Sequence, residues 1–198
     1  MGVDWQRAVS SIRAVRHTCG VNWVALLRGI NVGGRSAVPM AELRRVFADC
    51  GCSSVSTYIA SGNVLFASEE PDRAALTGLL EGAVDDAFGW ATAVVLRTTE
   101  EIDRVASSHP FGADSSKSAV AFLAQEPLPT VVHSLAELEI APEEFKVVGS
   151  DVLLHYPNGL GRAKLSGALL ERRLGVSATI RNWRTVTKLA ELSSATEG

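Results

Sequence analysis

The chain has 198 residues, 46% of them hydrophobic and 21% charged, with a formal net charge of -3 at neutral pH. That length fits one medium domain or two small ones, and the charge balance excludes a protein that coats nucleic acid with its whole surface. No apolar run approaches the roughly 18–20 residues needed to cross a bilayer. Acids concentrate between 69 and 103, whereas Arg162, Lys164, Arg172, Arg173, Arg181, Arg184 and Lys188 make 162–188 basic. Such segments read either as solvated faces of opposite sign or as a local anion-binding surface near the C-terminus.

Residues 1–22 carry Arg7, Arg13, Arg16 and His17 but no continuous apolar core, so they read as an N-terminal extension, flexible or briefly helical, and not as a secretory signal. Trp23–Leu27 is a buried-strand run. A helix begins at Pro39 and is stopped by Gly51. Val55–Ile59 and Val64–Ala67 form a hairpin through Ala60-Ser61-Gly62-Asn63. Pro71 opens a second helix that ends at Gly89, and Thr92–Leu96 is a fourth strand. The second half repeats this order: a connecting helix at Thr99–Ser107, a strand at Ala119–Leu123, a helix at Pro129–Leu138, and strands at Phe145–Val148 and Val152–Tyr156. A helix at Leu165–Leu174, a strand at Ala178–Ile180 and a final helix at Trp183–Leu192, capped by Asn182, follow. The order predicts an α+β fold of two tandem ferredoxin-like (βαββαβ) plaits with antiparallel sheets and extra helices flanking the second. The boundaries are 23–98 and 99–193, followed by a tail at 194–198.

LLRGINVGGRSAVPMAEL, TYIASGNVLF, HYPNGLGRAKL and TIRNWRTVTKL occur in that order. Together they resemble the bacterial family called domain of unknown function 1697, over about residues 23–192. The resemblance implies a tandem of two ferredoxin-like plaits and supplies no reaction.

Gly29–Ser36 departs by one residue from the phosphate-binding pattern G-x-x-x-x-G-K-[ST], with Arg35 in place of the lysine. A phosphate loop must run straight into a helix, yet Pro39 marks the helix start, and a helix from Gly34 would carry that proline inside it at about 3 kcal/mol. Nucleotide hydrolysis is therefore rejected. What remains is a ligand loop with Arg28 and Asn31 as polar groups and Gly33 and Gly34 allowing close backbone approach. The plain alternative is a strand–helix connection in which Asn31 bonds its own turn. Ser61 and Asn63 at the hairpin, Arg162 and Lys164 before a helix, and Arg181 complete the candidate ligand residues, each also explicable by turn geometry, solvation or an ion pair across the domains.

No metal spacing, GxSxG or Cys/His pattern is present, so no catalytic residue, metal or cofactor is assigned. Cys19, Cys50 and Cys52 make no redox or zinc motif, which fits a cytoplasmic protein. The doublets Glu69-Glu70, Asp85-Asp86, Glu100-Glu101 and Glu143-Glu144 read as solvated. The leading expectation is a non-catalytic binder of an anionic or phosphate-bearing ligand, a nucleotide or RNA. The alternatives are an enzyme acting on a small anionic metabolite and a dimeric scaffold that pairs through an open sheet edge.

Overall fold

A computed structural model of the chain describes residues 20–31, 37–108, 111 and 115–195. In chain order the elements are β1 (Val21–Leu27), α1 (Met40–Asp49), β2 (Ser53–Tyr58), β3 (Asn63–Ser68), α2 (Arg73–Phe88), β4 (Val94–Thr98) and α3 (Thr99–Ser107). There follow β5 (Ser118–Leu123), α4 (Pro129–Ala136), β6 (Glu144–Val148), β7 (Asp151–His155), α5 (Gly167–Leu174), β8 (Ala178–Asn182) and α6 (Trp183–Ser194). Predicted boundaries move by a few residues, for local reasons. Pro39 is the cap before α1 and keeps an extended ψ of 125°. Asp72, not Pro71, starts α2, because its carboxylate accepts from the N–H groups of Ala74 and Ala75.

The two antiparallel sheets have orders β2-β3-β1-β4 and β6-β7-β5-β8, the same arrangement twice. One face of the first sheet (Trp23, Ala25, Leu27, Val64, Phe66) packs on Leu43 and Phe47 of α1 and Leu76, Leu80 and Val84 of α2. The second sheet does the same with α4 and α5, burying Ala119, Ala121, Leu154 and Leu170. The opposite faces meet in a third core, where Val24, Leu26, Val95, Val120 and Phe122 join Ile102 and Val105 of α3 and Trp183, Val186 and Leu189 of α6. Both faces of both sheets are thus covered. That explains why β5 and most of β1 are apolar without alternation.

One outer strand of each sheet, β2 or β6, is a poor template for pairing. β2 is interrupted by a register shift between Ser53 and Ser56, with Ser54 at φ 52°, and β6 exposes Glu144 and Lys146. Bulges and edge charges oppose edge-to-edge association.

The hairpin between β2 and β3 depends on one glycine. Gly62 has φ +76°, and a Cβ there would lie 2.9 Å from Ile30 Cδ1 and 2.9 Å from Leu27 Cβ. Gly62→Ala is therefore expected to cost about 2–4 kcal/mol, from left-handed strain together with the clash, read as a lower midpoint in urea. Gly149, at φ +58° in the matching turn, has nothing within 4 Å, so Gly149→Ala carries the strain alone and costs less.

Candidate functional site

Arg181, Ser61 and Asn63 do come together, but inside the protein. Arg181 is only 7% exposed and Asn63 0%. The guanidinium donates from Nε to Asn63 Oδ1 (2.6 Å), from Nη1 to Thr179 Oγ1 (2.6 Å) and Ile180 O (3.0 Å), and from Nη2 to Leu27 O and Ser61 O (both 2.9 Å). Asn63 in turn donates to Tyr58 O and to Ser61 Oγ. Burial lowers the Arg181 pKa to about 10, so the group stays charged at neutral pH. Nε and Nη2 are thus bonded into the first sheet and its hairpin turn, and Nη1 to Arg181's own strand. Sequence reasoning allowed Arg181 a carboxylate across the domains or a ligand; its partners are carbonyls, a hydroxyl and an amide.

A second arginine, which sequence reasoning passed over, does the reverse. Arg97 of β4, with a side chain 2% exposed, donates from Nη2 to Leu123 O, Ser150 O and Asp151 Oδ1 (each 2.9 Å) and from Nη1 to Leu96 O (2.8 Å). Leu27 and Leu123 end β1 and β5, Ser61 and Ser150 lie in the two hairpin turns, and Asn63 and Asp151 open β3 and β7. The two arginines are counterparts, each carried by one sheet and bonded into the other. Burial pushes the Asp151 carboxyl up, and Arg97 opposes that push.

Asn31, at φ 55°, follows the plain turn reading. Its amide donates to Val38 O (3.2 Å) and Ala60 O (2.6 Å), and its carbonyl accepts from Val38 N–H (2.8 Å). The side chain joins both ends of the β1–α1 connection to the β2–β3 turn. Gly33 and Gly34 lie outside the described residues. Residues 37–39 are outside any helix and α1 starts only at Met40, so no helix runs straight on from the glycine loop to supply a phosphate-binding N-terminus.

Arg162 is exposed in a 3-10 turn. Lys164 Nζ donates to Ala141 O (2.8 Å), while the N–H groups of Lys164 and Leu165 bind the two oxygens of Glu143 at 2.6 and 2.8 Å. The expected anion site ahead of α5 thus holds an anion, and it is the protein's own. Glu143 was expected to be solvated, as was Glu101. Glu101 instead accepts from Thr98 N–H and from Arg73 (2.7 Å); burial works against its charge, but these partners outweigh it and lower its pKa.

Arg28 is half exposed and forms a bidentate pair with Glu171 of α5, at 2.6 and 2.7 Å. Glu171 also accepts from Ala178 N–H (2.8 Å), as Glu81 of α2 does from Val94 N–H (2.9 Å). Burial disfavours the Glu171 charge, but Arg28 and that N–H hold the carboxyl below the ordinary range. On one side of Arg28 opens a groove of about 620 Å³ lined by Gly78, Glu81, Gly82, Asp85, Thr92 and Ser177. A smaller hollow of about 390 Å³ on the other side is bounded by Glu171, Gly175 and Ser177. The groove wall on α2 is bare: a Cβ on Gly78 or Gly82 would meet nothing within 4 Å. Glycine inside a helix costs about 1 kcal/mol relative to alanine, and no described residue packs against these two. Sequence reasoning missed both. The detectable signal was a pair of glycines one turn apart with acids at Glu81 and Asp85.

The model of the family described as "Protein of unknown function (DUF1697)" matches residues 21–153. The chain belongs to this family. A solved structure described as that of a conserved bacterial protein from Streptococcus pneumoniae is similar to the DUF1697 chain, with a TM-score of 0.72 and 25% identity over 88% of this chain and 99% of that one. No curated protein matches. Among the described residues no helix of the DUF1697 chain is long and apolar enough to cross a membrane, and no cluster of acids, histidines and cysteines could hold a metal ion.

Proposed function

We propose that the chain is a pair of ferredoxin-like plaits, 23–98 and 99–193, joined as one body and acting as a non-catalytic binding protein, with its ligand groove beside Arg28. The plait reading rests on two βαββαβ orders with identical strand arrangement. The observation that carries the binding reading is the open wall at Gly78 and Gly82, flanked by Glu81 and Asp85. It is space left at the expense of helix propensity beside charged groups. Stacking of RNA bases on a sheet is disfavoured, because the faces away from the outer helices are buried against each other.

The ligand charge favoured by this groove is positive, opposite to the sequence expectation. Arg28 is already neutralised by Glu171, Glu81 and Asp85 remain, and the C-terminal end of α2 adds partial negative charge nearby. An amine-bearing small molecule or a basic peptide side chain fits. A second reading keeps the anion, on the strength of the half-exposed Arg28 fork, because an exposed ion pair of about 0–1 kcal/mol is displaceable by a phosphate.

One variant separates them. In titrations with spermidine and with a phosphosugar, Arg28→Ala should strengthen spermidine binding about threefold or more by freeing Glu171, and Asp85→Asn should weaken it. Loss of phosphosugar binding in Arg28→Ala would establish the anion reading instead. A Gly82→Leu variant that keeps full affinity for whichever probe binds would remove the groove from consideration. Gly82→Ala, by contrast, should raise stability by about 1 kcal/mol.

A further inference from the structure

The two halves differ where a hairpin meets the inner helix beside it. In the first half Tyr58, paired with Asn63 in the β2–β3 register, and Leu192 of α6 both pack on the shared core. Their counterparts are smaller. Val148 pairs with Asp151 in the β6–β7 register, and Ser108 follows Thr99 by the step that separates Leu192 from Trp183. Here a cavity of about 260 Å³ opens between α3 and the β6–β7 turn. Glu101, Arg104, Val105 and Ser108 line it at helical spacing from one face of α3. Asp151 and Leu153 line it from one face of β7, the face whose Leu153 joins the shared core.

The cavity carries uncommitted groups of both signs. Asp151 stands where the other half has Asn63; its Oδ1 accepts from Arg97, and its Oδ2 accepts from no described residue. Glu126, just past β5, adds a second carboxylate at the rim, and Glu101 is near enough to raise the Asp151 pKa along with burial. On the helix wall, Arg104 is exposed and forms no ion pair among the described residues. Its counterpart Lys188 pairs with Glu191, whereas the matching step after Arg104 is Ser107. Val105, Val148 and Leu153 add apolar surface.

We propose that this cavity binds a free α-amino acid with an apolar side chain. The ligand's ammonium donates to Asp151 Oδ2 and Glu126, its carboxylate accepts from the Arg104 guanidinium, and its side chain lies on Val105, Val148 and Leu153. Hydrogen bonds with an ionised partner on each end are the strong kind. A simple anion would face Asp151, Glu101 and Glu126, and a simple cation would leave Arg104 unused. The volume falls just below the range of about 300–1,000 Å³ that suits drug-sized ligands, so the occupant is small. This site shares no residue with the groove beside Arg28.

The test is an amide chemical-shift titration of the intact chain with L-leucine, L-leucinamide, which lacks the carboxylate, and isocaproate, which lacks the ammonium. Leucine should give saturable shifts at Val105, Gly149 and Asp151. Each of the other two should bind about tenfold or more weakly, the effect of losing one charged hydrogen-bonding end. Arg104→Met should bring leucine down to the affinity of leucinamide and leave leucinamide itself unchanged. The pair Ser108→Leu and Val148→Tyr, which restores the first half's residues, should abolish the leucine shifts at an unchanged or higher urea midpoint. Should that double variant fail to fold, Arg104→Met, at an exposed position, decides alone. No saturable shift with leucine overturns the proposal. So does equal affinity for leucine and either analogue, or leucine binding that survives Arg104→Met or the filled cavity undiminished.

Discussion

Arg181→Met should lower stability by about 3–5 kcal/mol, a cost typical of removing one partner from a buried charged network. Methionine fills most of the volume but leaves Leu27 O, Ser61 O and Asn63 Oδ1 without the guanidinium donor, and each buried unpaired acceptor costs about 1–3 kcal/mol. Urea denaturation measures the loss. Native-state hydrogen exchange locates it, with faster exchange at Leu27 and Gly62 and across α6. Arg181→Lys should recover little, because one ammonium cannot replace a planar fork that spans six acceptors. If Arg181→Met unfolds at the wild-type midpoint, the network contributes nothing and Arg181 returns to the pool of ligand residues.

Arg97→Met should cost as much or more, since it strands a carboxylate. Asp151 would keep its burial and lose the cation that opposes it. Its carboxyl pKa would then rise further above that of the unfolded chain. By linkage, the penalty is smallest where Asp151 is protonated and grows as pH rises through the raised folded value. The double variant Arg97→Met/Asp151→Leu should recover part of the loss, because removing both members of a buried pair is commonly less harmful than removing one. A double variant worse than Arg97→Met alone would show that Asp151 has another role.

The elements were legible because each half follows simple periods. Helices carry leucines at helical spacing and end at glycines such as Gly89 and Gly175, and strands are short apolar runs between turn residues. Partnerships were not legible. Arg28 and Glu171 are 143 positions apart, and composition does not say which acid meets which base. The basic stretch 162–188 looked like one surface. In the folded chain Arg181 is buried, Lys164 bonds a carbonyl, Lys188 pairs with Glu191, and Arg172 and Arg173 stay exposed on α5. Arg97 looked like a stray base in an acidic region, although VVLRT and ATIRN place an arginine at the same step of the fourth strand in each half. Matching the halves element by element would have exposed the pair. Two groups that the sequence offered to an anion bond to the protein's own carboxylates, Arg28 to Glu171 and the N–H groups of Lys164 and Leu165 to Glu143, and sequence alone does not count such internal occupants.

The exchanged arginines also bear on how the molecule can move. Two domains on a linker usually open and close about a hinge. Here each half is fastened at its hairpin turn by an arginine of the other, so opening would uncover two guanidinium groups and break their bonds together. A ligand of the proposed groove would gain no leverage from such a motion; its effects would stay in the rotamers of Arg28, Asp85 and Glu171, and scattering curves with and without spermidine should superimpose.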